Sequence, residues 1–260
     1  MEKVIIIGAN GFLGSHLRDE LTIKLGEENI YSLVKTLLSN QDIVKNQYEC
    51  DLTNFYELLK SRVSILFQKE KDITHIFHCA VYPYKNNPDD FLYNELINMN
   101  VIRFWKEYFP KAKLITFGTD ASYSDDKFEY GERHSENHYL DDQPNKAYFH
   151  YALAKRSLYT TLKSFADNTD NCLKFLHFPL ISLFGPGFRK DDDHLIHSII
   201  RKIYIAKNNN LYKATFGGDG SQIREIDFID DVVENVINLS FDELATELIN
   251  LGSENRETVQ

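Results

Sequence analysis

The chain has 260 residues, 43% hydrophobic, 13% aromatic and 26% charged, the balance of a folded, soluble protein with room for one large α/β domain or a domain plus a small lobe. Its 29 Lys and Arg stand against 39 Asp and Glu, and the formal net charge of −10 repels a polyanion and argues against a nucleic-acid partner. Cys50, Cys79 and Cys172 are too far apart for a disulfide framework or a zinc site, and no apolar run reaches membrane-spanning length, so a reducing cytoplasm is the expected setting.

The first element is the apolar run Val4-Ile5-Ile6-Ile7, which leads directly into Gly8-Ala9-Asn10-Gly11-Phe12-Leu13-Gly14. This pattern reads as a buried strand entering a helix through a phosphate-binding turn. Gly8 permits a sharp exit, Gly11 lets backbone N–H groups approach a pyrophosphate, and Gly14 packs the helix on the sheet. Further strands are predicted over 30–34, 48–50, 73–79, 113–117 and 173–178, after a first over 3–7. Helices over 13–25, 55–70, 89–108 and 146–166 alternate with them. That alternation predicts an α/β fold with a doubly wound parallel sheet and the glycine turn at its carboxyl edge, where a ligand should sit.

This first domain is expected over 1–178, with a small substrate-binding lobe over 179–260, parts of which can return to the first domain. The change is marked by the turn Gly185-Pro186-Gly187 and the charged run Arg189-Lys190-Asp191-Asp192-Asp193. A helix over 195–206 follows, then 213–216, the turn Gly217-Gly218-Asp219-Gly220, a strand over 225–229 and a helix starting near Asp230 with an acidic first turn. No flexible linker separates the two parts, so they should share an interface.

The end of the second strand reads Ser32-Leu33-Val34-Lys35-Thr36 and lacks the acidic residue that would accept the ribose 2′-hydroxyl of NAD. Lys35 suits a 2′-phosphate, so NADP is favoured, with NAD as the alternative. Thr119 follows the fifth strand and would present a hydroxyl to a substrate oxygen at the sheet edge; Ser122 is the rival hydroxyl. In Tyr151-Ala152-Leu153-Ala154-Lys155 a phenol and an ammonium lie one helical turn apart, and the positive charge should lower the Tyr151 pKa from its usual value of about 10 toward neutrality. His134 and His138 read as solvated loop rather than a metal site, and no metal is expected. Asp191, Asp192 and Asp193 read as an exposed helix start, and Cys79 as a packed small residue. The aromatic-rich segment 139–151 divides between core and site wall.

Taken together, the chain resembles the extended short-chain dehydrogenases/reductases of the nucleotide-sugar epimerase/dehydratase/reductase type, over nearly its whole length. The resemblance rests on the G-x-x-G-x-x-G turn, Asp51-Leu52, His78-Cys79-Ala80, Asn100-Val101, Thr119 with Tyr123, Tyr151 with Lys155, Gly185-Pro186-Gly187, and Gly218-Asp219-Gly220 followed by Arg224. It implies a Rossmann sheet and a nicotinamide cofactor whose contacts include Gly8, Gly11, Phe12, Leu13, Gly14, Lys35, Asp51, Leu52, Ala80, Val81, Tyr151, Lys155 and Pro179. Tyr151 is implied as general acid or base on a sugar hydroxyl or ketone, Thr119 as the group orienting that oxygen, and Lys155 as the ribose ligand, with hydride moving between the sugar carbon and nicotinamide C4. Asp120, Ser182 and Arg224 are the implied contacts of a nucleotide-diphosphate sugar, Arg224 at the diphosphate.

Similar 4,6-dehydratases follow the catalytic Thr with an acidic pair or a Glu at the second position; here Asp120 is followed by Ala121, which disfavours dehydration. Reduction of a keto sugar is the leading expectation and epimerisation the runner-up. A non-catalytic nucleotide-sensing role would require a degraded catalytic set, and all three positions are filled. The chain ends soon after a strand-like stretch over 247–251, a compact lobe that suits a reductase. A homodimer through the Tyr151 helix and the helix before it is also implied.

Overall fold

The structure, a computed structural model, describes residues 2–37, 46–54, 72–124, 134–168, 173–188, 194–221, 223–245, 247–252 and 256–258. Its centre is a seven-stranded, wholly parallel sheet made of β1 (Lys3–Ile7), β2 (Ile30–Val34), β3 (Gln47–Glu49), β4 (Ile73–His78), β5 (Lys113–Thr119), β6 (Phe175–Leu180) and β9 (Glu247–Leu248). The strand order is β3-β2-β1-β4-β5-β6-β9, the Rossmann arrangement.

The strands read as continuous apolar runs because both of their faces are covered. In β1, Ile5 and Ile7 enter one core with α2 (Pro88–Tyr108) and α3 (Phe149–Asn168), contributed by Val101, Trp105, Leu158 and Leu162. Val4 and Ile6 enter the other with α1 (Phe12–Leu25) and α5 (Ile229–Phe241), through Leu17, Leu21, Val233 and Val236. The order reverses at β1, with β2 on one side and β4 on the other, which opens a crevice at the carboxyl ends of β1 and β4.

A second, three-stranded sheet lies after β6. Within it β7 (Ser182–Phe184) pairs in parallel with β8 (Ile223–Phe228), and β8 pairs antiparallel with β10 (Arg256–Thr258). Among the described residues the remaining α-helix is α4 (Leu195–Asn208). The chain then returns to the large sheet, where β9 pairs with β6.

Several elements differ from the sequence reading at their ends. β5 runs on to Thr119 itself, paired with Leu180 of β6, so the Thr119 hydroxyl stands on the last strand residue rather than beyond it. The helix expected from 146 begins at Phe149 after one 3-10 turn, because the Asn145 side chain accepts the Ala147 N–H (2.9 Å) and caps that turn first. Asn87 and Pro88 start α2 one residue early through a capping box with Asp90. Residues 213–216 carry no regular structure, and β7, three residues long, was too short to show a period. The helix expected over 55–70, the run Arg189 to Asp193, and Cys172 fall outside the described residues. Among the described residues no helix is long and apolar enough to cross a membrane.

Candidate active site

The glycine turn is built by close backbone approach. Gly8 has φ +84°, and a Cβ there would stand 2.7 Å from the Ala80 backbone nitrogen. Its own N–H donates to the Leu33 carbonyl (2.8 Å), while Cys79 N–H donates to Ile7 (2.8 Å), so the ends of β1, β2 and β4 meet at this residue. A Cβ on Gly14 would overlap the Gly8 carbonyl oxygen, and Gly11 closes the turn by donating to that same oxygen (2.9 Å). Gly11 caps α1 without a side-chain hydrogen bond. The first N–H groups of α1, including those of Phe12 and Leu13, therefore lack intrahelical partners at the positive end of the helix, a donor set that fits a dinucleotide pyrophosphate.

The sequence reading passed over Asn10. Its Nδ2 donates to the Thr36 carbonyl (3.1 Å) and its Oδ1 accepts from Gln47 Nε2 (3.0 Å), which ties the turn to the ends of β2 and β3. The Phe12 ring packs edge-on against Phe188 at 4.2 Å, linking the start of α1 to the segment after the Gly185-Pro186-Gly187 turn. Lys35 is exposed beyond β2, where its charge acts on Asp51. Asp51 accepts from both the N–H (3.0 Å) and the hydroxyl (2.8 Å) of Thr53. Burial works to raise its carboxyl, but these bonds and Lys35 bring it net below the ordinary range. Leu52 is buried with its carbonyl accepting Asn100 Nδ2 (2.7 Å), Ala80 is half-buried and Val81 exposed.

At the end of β5, Thr119 is half-buried and Ser122 fully buried, so Thr119 is the accessible hydroxyl of the two. Thr119 Oγ1 donates to Asp120 Oδ1 (3.0 Å), and the Ala121 N–H donates to Asp120 Oδ1 (2.8 Å) and more weakly to Thr119 Oγ1 (3.3 Å). Asp120 is accessible to solvent yet crowded by protein. That crowding raises its carboxyl above the usual range, against the opposing pull of the Thr119 and Ala121 hydrogen bonds and the charges of Arg224 and His134. Arg224 on β8 and Ser182 at the start of β7 are both exposed, while Pro179 is buried in β6 opposite Gly118.

Helix α3 supplies Tyr151 and Lys155, with Lys155 Nζ 5.4 Å from the Tyr151 ring centroid. The expected lowering of the Tyr151 pKa is reversed. Burial, with the Asp120 charge adding to it, pushes the phenol up to about 12. Lys155 is itself buried, and desolvation brings it down to about 8. An ammonium set over the ring and itself short of water does not outweigh the loss of hydration of a phenolate. Around Lys155 lie His78, held neutral by burial and by the Lys155 charge with a pKa of about 4, His177, lowered further by the same causes, and Cys79, whose thiol burial raises.

Beneath Thr119 a buried chain of hydrogen bonds crosses the sheet. His177 pairs with Thr116 Oγ1 through Nδ1 (2.8 Å) and with the Tyr139 hydroxyl through Nε2 (2.9 Å). Gly118 leaves the room: a Cβ there would come 2.5 Å from His177 Nε2 and 2.6 Å from the Tyr139 oxygen. Arg156, also buried, donates to the carbonyls of Ser122 (2.6 Å) and Asp141 (2.8 Å) and ties both to α3. These residues were not singled out in the sequence, although a histidine inside an apolar strand and an Arg on the buried side of a helix are the signals that mark them. Tyr139 is thus core, whereas Tyr148 is exposed beside Tyr84, whose hydroxyl donates to Ala147 (2.6 Å) and whose ring lies 6.3 Å from Tyr151. His138 pairs with Asp141 (2.8 Å), and no group of three or more possible metal ligands occurs among the described residues.

Residues 4–252 match the model of the NAD dependent epimerase/dehydratase family. The chain is 25% identical over 265 residues to GDP-L-fucose synthase 1 of Arabidopsis thaliana, an alignment covering 99% of this chain and 75% of that protein. The fold matches GDP-mannoheptose C4 reductase from Campylobacter jejuni with NADP bound, with TM-score 0.77 and 19% identity over 99% of this chain and 82% of that one. It also matches Thermus thermophilus UDP-glucose 4-epimerase in complex with NAD, with TM-score 0.75 and 21% identity over 99% and 79% of the two chains.

Proposed function

The chain belongs to the NAD dependent epimerase/dehydratase family and is an enzyme of it, and from that premise we propose that it reduces a keto group of a nucleotide-activated deoxy sugar, with Tyr151 as the general acid. The observation that supports this reading is the Tyr151–Lys155 pair on α3, whose phenol feels the charge of Asp120, the residue after Thr119 at the end of β5, with Ala121 where a dehydratase would place a second acid. A bound nicotinamide cofactor supplies the hydride. Tyr151, protonated at neutral pH, donates its proton to the sugar oxygen as the carbon is reduced, and the phenolate left behind is stabilised by the Lys155 ammonium. Thr119 holds the same oxygen. Arg224 is assigned to the sugar diphosphate, and Asp120 and Ser182 to the sugar side of the crevice.

The cofactor is assigned as NADP, on the exposed Lys35 and the absence of an acid at the end of β2. The GDP-mannoheptose reductase with NADP bound supports this choice, while the NAD complex of the epimerase is the counterexample. We assign the region after β6 to substrate binding, with β9 rejoining the first domain, and place the enzyme in the cytoplasm as a homodimer through α2 and α3. The test is Tyr151→Phe with absorbance at the nicotinamide band as readout. A reductase oxidises its cofactor stoichiometrically and the variant loses turnover while keeping cofactor binding. Unchanged turnover would sink the assignment, and turnover with no net change in absorbance would favour an epimerase.

A further inference from the structure

Thr119 has one hydroxyl proton and two lone pairs. Its proton is directed to Asp120 Oδ1 at 3.0 Å and one lone pair faces the Ala121 N–H at 3.3 Å. An ionised carboxylate only accepts, so as long as Asp120 is charged this arrangement is fixed. What Thr119 then offers the crevice is an acceptor. A sugar hydroxyl can donate to it; a sugar ketone, which has no proton, cannot.

We propose that Asp120 is a positioning residue that sets the hydrogen-bond polarity of Thr119, so that the site takes a sugar ketone when this carboxyl is protonated and a sugar hydroxyl when it is ionised. Protonated, Asp120 no longer claims the Thr119 proton, which turns to the ketone oxygen beside the Tyr151 phenol. Protonation is within reach because the carboxyl is crowded by protein. The groups facing it come from four elements: Thr119 on β5, Tyr151 on α3, Arg224 on β8 and His134 in the strap between β5 and α3. Arg224 and His134 favour the ionised form, and Tyr151 contributes no charge below about 12. A substrate diphosphate that engages Arg224 withdraws positive charge from Asp120 and so favours protonation, which couples binding of the nucleotide to readiness for the ketone.

The inference rests on the nucleotide-sugar reading above, and its test separates the two. The full chain is titrated by calorimetry from pH 5 to 7.5 with GDP-4-keto-6-deoxymannose in the presence of oxidised NADP, and with the matching alcohol GDP-rhamnose in the presence of NADPH, two complexes that cannot react. The ketone Kd should rise by up to about tenfold per pH unit above the ionisation of Asp120 while the alcohol Kd stays flat. Asp120→Asn should flatten the ketone profile. A ketone profile unchanged by Asp120→Asn overturns the proposal. A second measurement needs no sugar: the Asp120 carboxyl, followed by carbon NMR, should titrate at higher pH in Thr119→Val, which removes the donor, and an unmoved titration also overturns it. Failure of both sugars to bind counts against the reading of the site as one for GDP sugars, and the Thr119→Val titration then decides the proposal by itself.

Discussion

Lys155 Nζ stands 5.4 Å from the centroid of the Tyr151 ring with Lys155 almost wholly inside the protein. The pair costs folding free energy, since burial disfavours the charge of Lys155. Its folded pKa, about 8, lies below the ordinary 10.5. Below about pH 8 the lysine is charged in both folded and unfolded states, and the folded state carries the full cost of the buried charge. Between about 8 and 10.5 the folded state sheds its proton first, so stability should rise with pH through that window as this cost is relieved. Lys155→Met should therefore be more stable at pH 7, by at most about 3 kcal/mol, and should lack the rise; urea unfolding at pH 7 and 10 checks both. A variant destabilised at pH 7 would contradict the burial argument.

Turnover should move the opposite way. In the proposed mechanism the Lys155 ammonium stabilises the phenolate that forms as Tyr151 gives up its proton, so kcat should fall as pH rises through about 8. Lys155→Met should lose about 10²- to 10⁴-fold in kcat at pH 7 and lose this limb altogether. A pH–rate profile of the wild type that stays flat to pH 10 would remove Lys155 from the chemistry.

Gly118 is the residue whose replacement should do most damage for its size. A methyl group there meets His177 Nε2 and the Tyr139 hydroxyl, and the hydrogen bond between them must break inside the core. Gly118→Ala is expected to cost about 2–5 kcal/mol, from overpacking and the loss of a buried hydrogen bond. Because Thr119 is the next residue, activity should fall as well. Gly217→Ala, where nothing lies within 4 Å of the added carbon, is the matched control and should change stability by about 0.5 kcal/mol or less. Equal effects at the two positions would show that the His177–Tyr139 bond is not what Gly118 protects.

How far the sequence led is clearest at β1 and β6. The run Val4 to Ile7 and the glycine spacing after it announced a doubly buried strand and its turn, because both demands are local and each residue's chemistry answers one of them. His177 in β6 stood out in sequence only as a histidine in an apolar strand; its partners Thr116 and Tyr139 come from 61 and 38 residues away and only the folded sheet brings them together. The Tyr151–Lys155 spacing correctly placed the two side chains one turn apart but misjudged their electrostatics: the helix period sets their proximity, while the burial that pushes Tyr151 up to about 12 is a property of everything packed around the helix. Asp120 was seen as a neighbour of Thr119 in sequence, and its hold on the Thr119 proton appears only in the geometry of the β5 terminus.

The exposed side of α2 carries Leu92, Leu96 and Met99 at 52%, 41% and 47% exposure, three large apolar residues at helical spacing on one stripe. A stripe of this kind on a helix next to α3 fits an isologous contact between two copies, in which each residue meets its symmetry mate or a neighbour of it. Leu96→Glu places a charge in that contact and should shift the protein from dimer to monomer in sedimentation velocity, with the fold unchanged by circular dichroism. A wild type that sediments as a monomer at all concentrations would remove the stripe as an interface.

Lys35 allows the cofactor assignment to be tested by inverting its charge. The residue is exposed past the end of β2, close enough for its charge to lower Asp51, and no carboxylate precedes it in the strand. A ribose 2′-phosphate placed near it gains an attraction that the 2′-hydroxyl of NAD does not, of about 1–3 kcal/mol for a charge-assisted hydrogen bond. In a thermal-shift titration the wild type should bind NADP more tightly than NAD by about tenfold or more, since each 1.4 kcal/mol is a factor of ten. Lys35→Glu should reverse that order, because a carboxylate repels the phosphate and accepts the ribose hydroxyl. Lys35→Ala separates the two contributions: it should lose the NADP preference without gaining affinity for NAD. A wild type that prefers NAD, or a Lys35→Ala variant with its NADP preference intact, would place the 2′-phosphate contact elsewhere and remove Lys35 from the cofactor site.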